Sequence, residues 1–217
     1  LLHTQITGAS GFGKSVLLGL LAFQAILKRE SIVIFDPKQG GDEWLPHVCH
    51  KAAQLANTPY FFVDLRAMVA QLNLLVGMSI DQIINLLIVG LMLENRGDAA
   101  DYYRAKNRKM ARFVGKNYQD GMTLKEISDT YDEYFRKKEA EGFADALQEI
   151  AQVESVNARE GISLKEAMDQ GHVIYVAGNW EDPKHITIQR MLLARIVQIA
   201  SERDNTVETP KQVCVIL

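Results

Sequence analysis

The stretch Gly8-Ala9-Ser10-Gly11-Phe12-Gly13-Lys14-Ser15 decides how the chain is read. It matches G-x-x-x-x-G-K-[ST] in full. In that pattern glycines let backbone N–H groups turn inward around phosphate oxygens, the lysine reaches the outer phosphates, and the serine hydroxyl ligands Mg2+. The pattern is permissive, so its flanks have to agree with it. Residues 1–7 (LLHTQIT) read as a short strand, and residues 14–28 (KSVLLGLLAFQAILK) as a mostly apolar helix whose first amides and dipole would face an anion. The candidate nucleotide-binding residues are therefore Gly8, Ser10, Gly11, Phe12, Gly13, Lys14, Ser15 and Val16, with Ser15 holding Mg2+ through the nucleotide.

Further along, residues 31–35 (SIVIF) are apolar on both faces, as a central strand of a helix-covered parallel sheet should be. A helix over 43–55 leads to a strand at 60–63 (YFFV) that ends in Asp64, and 71–76 (QLNLLV) runs into a new helix near Ser79. After a long helical stretch, 172–177 (HVIYVA) returns to a buried strand, a helix follows over 184–203, and 212–217 is a last apolar strand. This alternation predicts an α/β fold with a mainly parallel sheet. In open α/β sheets ligands sit beyond the carboxyl ends of the strands. Asp36, Lys38, Asp42 and Asn179 then share an edge with the phosphate loop, although turn chemistry and helix capping account equally well for the first three.

Between residues 80 and 159 no strand signal survives, and the spacing predicts helices over 80–93, 98–116, 124–138 and 144–157. The chain divides on this reading into a nucleotide-binding core over 1–78, an inserted all-α domain over 79–160, and the second part of the core over 161–217. Thr123-Leu124-Lys125-Glu126 and Ser163-Leu164-Lys165-Glu166 each spell a capping box. Arg104, Arg108, Arg112 and Lys116 recur every four residues, with Tyr102, Tyr103, Lys106 and Lys109 beside them. Such a stripe is a solvated face, a set of ion pairs with the acid-rich helices that follow, or a contact for DNA or a partner protein.

Hydrophobic residues make up 47% of the 217, and 24 basic residues stand against 27 acidic ones. That balance excludes nucleic-acid or membrane binding by the chain as a whole and leaves only local surfaces for it. Cys49 and Cys214 lie far apart in apolar stretches, which suits buried thiols in a reducing compartment. His47, Cys49 and His50 are too tightly spaced for a usual zinc pattern. No signal peptide or spanning segment is read, so the chain itself is expected to be soluble, and its abrupt ends lead to the expectation of a piece of a longer protein.

The order GASGFGKS, IVIFDPK, helical insert, VIYVAGNWEDPKHITIQRMLLARI and closing apolar strand resembles the type IV coupling proteins of conjugation and type IV secretion (TraD/TraG-like), within the FtsK/HerA group of phosphate-loop ATPases. The resemblance implies a RecA-like motor domain binding ATP and Mg2+, a homo-hexamer in the parent protein, and DNA or relaxase and effector proteins as substrates. It also implies secretion-channel components as partners and anchorage at the cytoplasmic face of the bacterial inner membrane through regions outside this chain. The family's Walker B acid falls beyond residue 217, so whether the piece hydrolyses ATP stays open. Alternatives are a soluble FtsK/HerA-like or secretion-type ATPase, a small phosphate-loop kinase, and a non-hydrolysing docking module.

Overall fold

A computed structural model describes residues 5–7, 13–36, 44–202 and 213–217. Among them, four strands form one all-parallel sheet in the order β2-β3-β1-β4, with β1 at Ser31–Asp36, β2 at Tyr60–Asp64, β3 at Val173–Ala177 and β4 at Val213–Ile216. The two central strands are buried on both faces, which explains their unbroken apolar spelling. No helix among the described residues is long and apolar enough to cross a membrane.

Side-chain alternation sorts each strand between two helical layers. Ile32, Ile34, Val173 and Tyr175 face α1 (Lys14–Leu27) and α2 (Trp44–Ala56), meeting small residues such as Ala22, Ala25, Ala52 and Ala53 that let the helices lie close to the sheet. Val33, Phe35, Val63, Ile174 and Val176 face the opposite layer. There α3 (Ile80–Gly90) and α8 (Pro183–Ser201) pack together, with α4 (Asp101–Asn117), α5 (Leu124–Lys137), α6 (Glu141–Ala151) and α7 (Leu164–Gln170) around them. One hydrophobic cluster runs without a break from the sheet through Leu86 and Met191 to Phe135 and Phe143. Each fully buried side chain of this size contributes about 1.5–3 kcal/mol.

Several expected boundaries are corrected. Gln5, Ile6 and Thr7 belong to no strand. Gln5 and Ile6 line a groove of about 650 Å³ together with β4 and α1, standing beside the ladder of β4 instead of in it; the rest of the expected first strand, 1–4, lies outside the described residues. The helix expected over 144–157 starts earlier, at Glu141, and stops at Ala151. There the Asn157 amide donates to the carbonyls of Ala151 and Val153 at 3.0 and 2.9 Å, giving the end of the helix a donor from outside it.

The helix expected over 80–93 ends at Gly90, and Met92 turns the chain at φ 55°. The one expected from 98 starts at Asp101, since Asp98 and Asp101 are used by the preceding loop, accepting from the N–H groups of Ala100, Arg96 and Gly97. Residues 71–76 form no regular element; Leu72 and Asn73 make isolated bridges to Ile162 and Asn157. Thr123 and Glu126 close the capping box reciprocally. Ser163 caps the short α7 from one side only, because the Glu166 carboxylate accepts from Gln170 Nε2 at 3.1 Å.

Candidate functional site

The carboxyl ends of β2, β3 and β1 are level: Asp64, Ala177 and Asp36 stand side by side in register. Helix α1 returns to β1 through only residues 28–30, so it runs antiparallel to the strand. Its 14 residues are about 21 Å long and the six of β1 about 20 Å, which brings the first turn of α1 to the level of Asp36. Gly13 opens that turn at φ 78°, a left-handed conformation that glycine adopts without strain, and its carbonyl accepts the first helical bond from Leu17 N–H at 3.0 Å.

Lys14 and Ser15 follow in the helix, Ser15 half-buried and Val16 half exposed at 50%. The first turn contains no acidic residue, and the residue at its N-cap, Gly13, has no side chain to cap the amides. Amide donors, an ammonium and a hydroxyl at the positive end of a helix form a donor set that fits clustered anionic oxygens. Gly8, Ser10, Gly11, Phe12, Lys38 and Asp42 lie outside the described residues.

Alternation along β1 puts Asp36 on the same face as Ile32 and Ile34, which is the face covered by α1. There its Oδ2 accepts a 2.7 Å hydrogen bond from the hydroxyl of Tyr175, a side chain with no solvent exposure in the neighbouring strand. Burial first, and the Asp36 carboxylate second, push the Tyr175 hydroxyl far above its ordinary range, so it stays a proton donor. Phe62 stacks on the same ring at 5.5 Å and fixes its plane.

Asp64, on this face too, receives Arg66 as a fork, with Nε at 2.7 Å from Oδ1 and an Nη2 at 2.8 Å from Oδ2. Partial burial pushes the Asp64 carboxyl up, but the hydrogen bonds and charge of Arg66 outweigh it and hold the group below its usual range. The same pairing raises Arg66, which also feels the charge of Asp36.

Asn179 serves the loop after β3: its N–H donates to His185 Nδ1 at 3.2 Å, and its side-chain oxygen accepts from Glu181 N–H at 2.8 Å. His185 is buried, and its Nε2 faces Asp182 Oδ2 at 3.9 Å. Gly178 leaves room for Gln189, whose Nε2 would stand 2.3 Å from a Cβ there and would have to move aside. Sequence reasoning passed over Arg66, Tyr175 and His185. Only Asp64, a strand-ending acid next to an arginine two residues on, left a signal that could have been read.

The basic stripe is split by the fold. Arg104 forks into Asp98 and Asp101 at 2.6–3.1 Å, and Arg108 donates to the Leu93 carbonyl beyond the end of α3. Arg112 and Lys116 are exposed. Among the described residues no hydrogen bond or ion pair joins any of the four to the carboxyl edge of the sheet. Cys49, between His47 and His50 in sequence, is fully buried, and burial pushes its thiol up to about 12.

The chain is 28% identical over 225 aligned residues to "Mobilization protein A" of Escherichia coli, a match covering 93% of this chain and 37% of that protein. It thus spans little more than a third of that relative's length. No family model matches the chain, and no solved structure matches it.

Proposed function

We propose that this chain is the nucleotide-binding part of a conjugation-related protein, a RecA-like phosphate-loop unit that uses ATP with Mg2+ to recruit or move a DNA or protein substrate. On this reading residues 1–78 and 161–217 make the core and 79–160 an inserted all-α domain. The parent would act as a coupling protein, a hexamer at the cytoplasmic face of the inner membrane, with relaxase, effector or channel proteins as partners. The conjugation limb rests on the 28% identity to a protein named for mobilization.

The observation that carries the nucleotide limb is the Gly13-Lys14-Ser15 start of α1, whose first turn contains no acidic residue, level with Asp36 at the carboxyl edge of an all-parallel sheet. Lys14 and the first-turn amides would hold phosphate oxygens, and Ser15 would hold Mg2+. Bound Mg2+ neutralises phosphate charge. Asp36, held in place by the Tyr175 hydroxyl, offers the carboxylate that such a cation shell needs nearby.

The test is equilibrium binding of a fluorescent ATP analogue. Loss of a charged hydrogen-bonding partner costs about 1.5–3 kcal/mol, so Lys14→Ala should bind about 10- to 150-fold more weakly with unchanged circular dichroism. Equal affinity in the two proteins removes the reading.

A further inference from the structure

We infer that the outer face of α4 is a binding surface for single-stranded nucleic acid, formed by Tyr102, Tyr103, Lys109, Arg112 and Lys116. The fold, by using up some cations of the sequence stripe, exposes a different one. Arg104 and Arg108 turn inward to carboxylates and a carbonyl, and Lys106 is paired with Glu139 at 2.6 Å. Lys109, Arg112 and Lys116 are exposed and make no hydrogen bond or ion pair among the described residues. With Tyr102 they follow one another at steps of seven, three and four. That spacing confines them to about a quarter of the helix circumference over about 21 Å.

Four acids of α5 and α6 are engaged in ion pairs with other cations. Asp132 and Asp145 hold Arg136, Glu133 holds Lys137, and Glu126 holds Arg159. A chain of net charge −3 therefore keeps three uncompensated cations in one line. A row of cations fits a row of phosphates.

The tyrosines decide which polyanion. Tyr102, 64% exposed, stands at the amino end of this line; Tyr103, 66% exposed and one residue further round the helix, meets it edge-on with ring centroids 5.5 Å apart and planes at 82°, and the Lys106 ammonium lies 5.1 Å from the Tyr102 centroid. Two large rings held in water at the end of a cationic track offer faces for unpaired bases to stack on, which a duplex keeps inside its own stack. An acidic protein segment would use the charges but not the rings.

The inference does not rest on the nucleotide reading, because no residue is shared with the start of α1. The experiment uses the 217-residue chain and fluorescence anisotropy of a labelled oligothymidylate, with an equally long duplex and polyglutamate as competitors. The oligothymidylate should bind at low salt and outcompete both. Substituting Lys109→Gln, Arg112→Gln and Lys116→Gln together should flatten the log–log salt dependence by about 2, at about 0.7 for each lost phosphate contact. Tyr102→Ala with Tyr103→Ala should weaken binding about tenfold or more at unchanged slope. Thermal midpoints of both variants should match the parent, and Lys14→Ala should bind the oligonucleotide as the parent does. The inference is overturned by absence of binding, by an unchanged slope in the charge variant, or by unchanged affinity in the tyrosine variant. Preference for duplex overturns it as well, and so does equal competition by polyglutamate, which would assign the face to an acidic protein.

Discussion

The carboxyl edge of the sheet and the outer face of α4 are both rich in charge, yet they are built in opposite ways. At the edge the charges are tied down: Asp36 to Tyr175 and Asp64 to Arg66, with the Asn179 backbone held by His185. On α4 the three cations stand in water with no partner among the described residues. A partnered, half-buried charge has one position and a cost when its partner is lost. An unpartnered surface charge has many positions and contributes mainly through its field. The edge is therefore preorganised for a small ligand held at fixed atoms, whereas the α4 face suits a long and variable one.

The sharpest break of this contrast is Tyr175→Phe. The ring, its stacking on Phe62 and the packing of β3 are retained, and only the donor to Asp36 is removed. A lost hydrogen bond to a charged, half-buried group costs about 1–3 kcal/mol, and for a chain of this size each kcal/mol lowers Tm by about 2–4 °C. A double-mutant cycle with Asp36→Asn isolates the pair. If Tyr175→Phe costs no more than a surface substitution, the edge is not preorganised as described.

A smaller effect is expected at Asp64. Its folded carboxyl is held below its unfolded value, so the pairing with Arg66 adds stability that is fully present above the unfolded value and is lost as pH falls through the folded one. Because both side chains retain solvent contact, at 36% and 24% exposure, screening limits the gain to about 1 kcal/mol or less. Arg66→Met should lower stability at neutral pH by that amount and by less as pH falls below about 4, the ordinary aspartate value. A constant difference between parent and variant across that window would show that the fork carries no charge-linked energy.

Much of this architecture was legible in the sequence because it rests on local rules. The doubly apolar strands 31–36 and 173–177 could lie only between two helical layers, and Asp64 and Asp36 end their strands where alternation and charge say they should. What escaped depends on contacts between distant segments. Tyr175 and Asp36 are separated by 139 residues, and nothing in HVIYVA marks the hydroxyl as a partner. The end of α6 is partnered by the Asn157 amide, which reads in sequence as one more helical polar residue. Among the arginines of α4, four-residue spacing described a stripe, but that spacing drifts around the helix by about 40° per step. Arg104 and Arg108 have turned toward Asp98 and Leu93 by the point where Arg112 and Lys116 face water.

That drift supports the last and smallest prediction, which concerns folding energy alone. If α4 carries its inner cations for structure and its outer ones for their field, the two sets should separate in a stability measurement. Arg112→Gln with Lys116→Gln takes away no hydrogen bond, ion pair or buried contact, so the unfolding free energy should move by less than about 0.5 kcal/mol. Arg104→Gln removes the fork to Asp98 and Asp101, whose carboxyl is held down to about 2, chiefly by the Arg96 backbone N–H and then by Arg104. The Arg104 contribution should be present above about pH 4 and fade as Asp101 protonates toward pH 2, whereas the outer pair should show no such dependence. Urea unfolding of the three proteins at neutral pH and near pH 3 makes the comparison. Equal losses from the inner and outer substitutions, or a pH dependence in both, would show that α4 is a single electrostatic unit and that its two sides are not divided between structure and recognition.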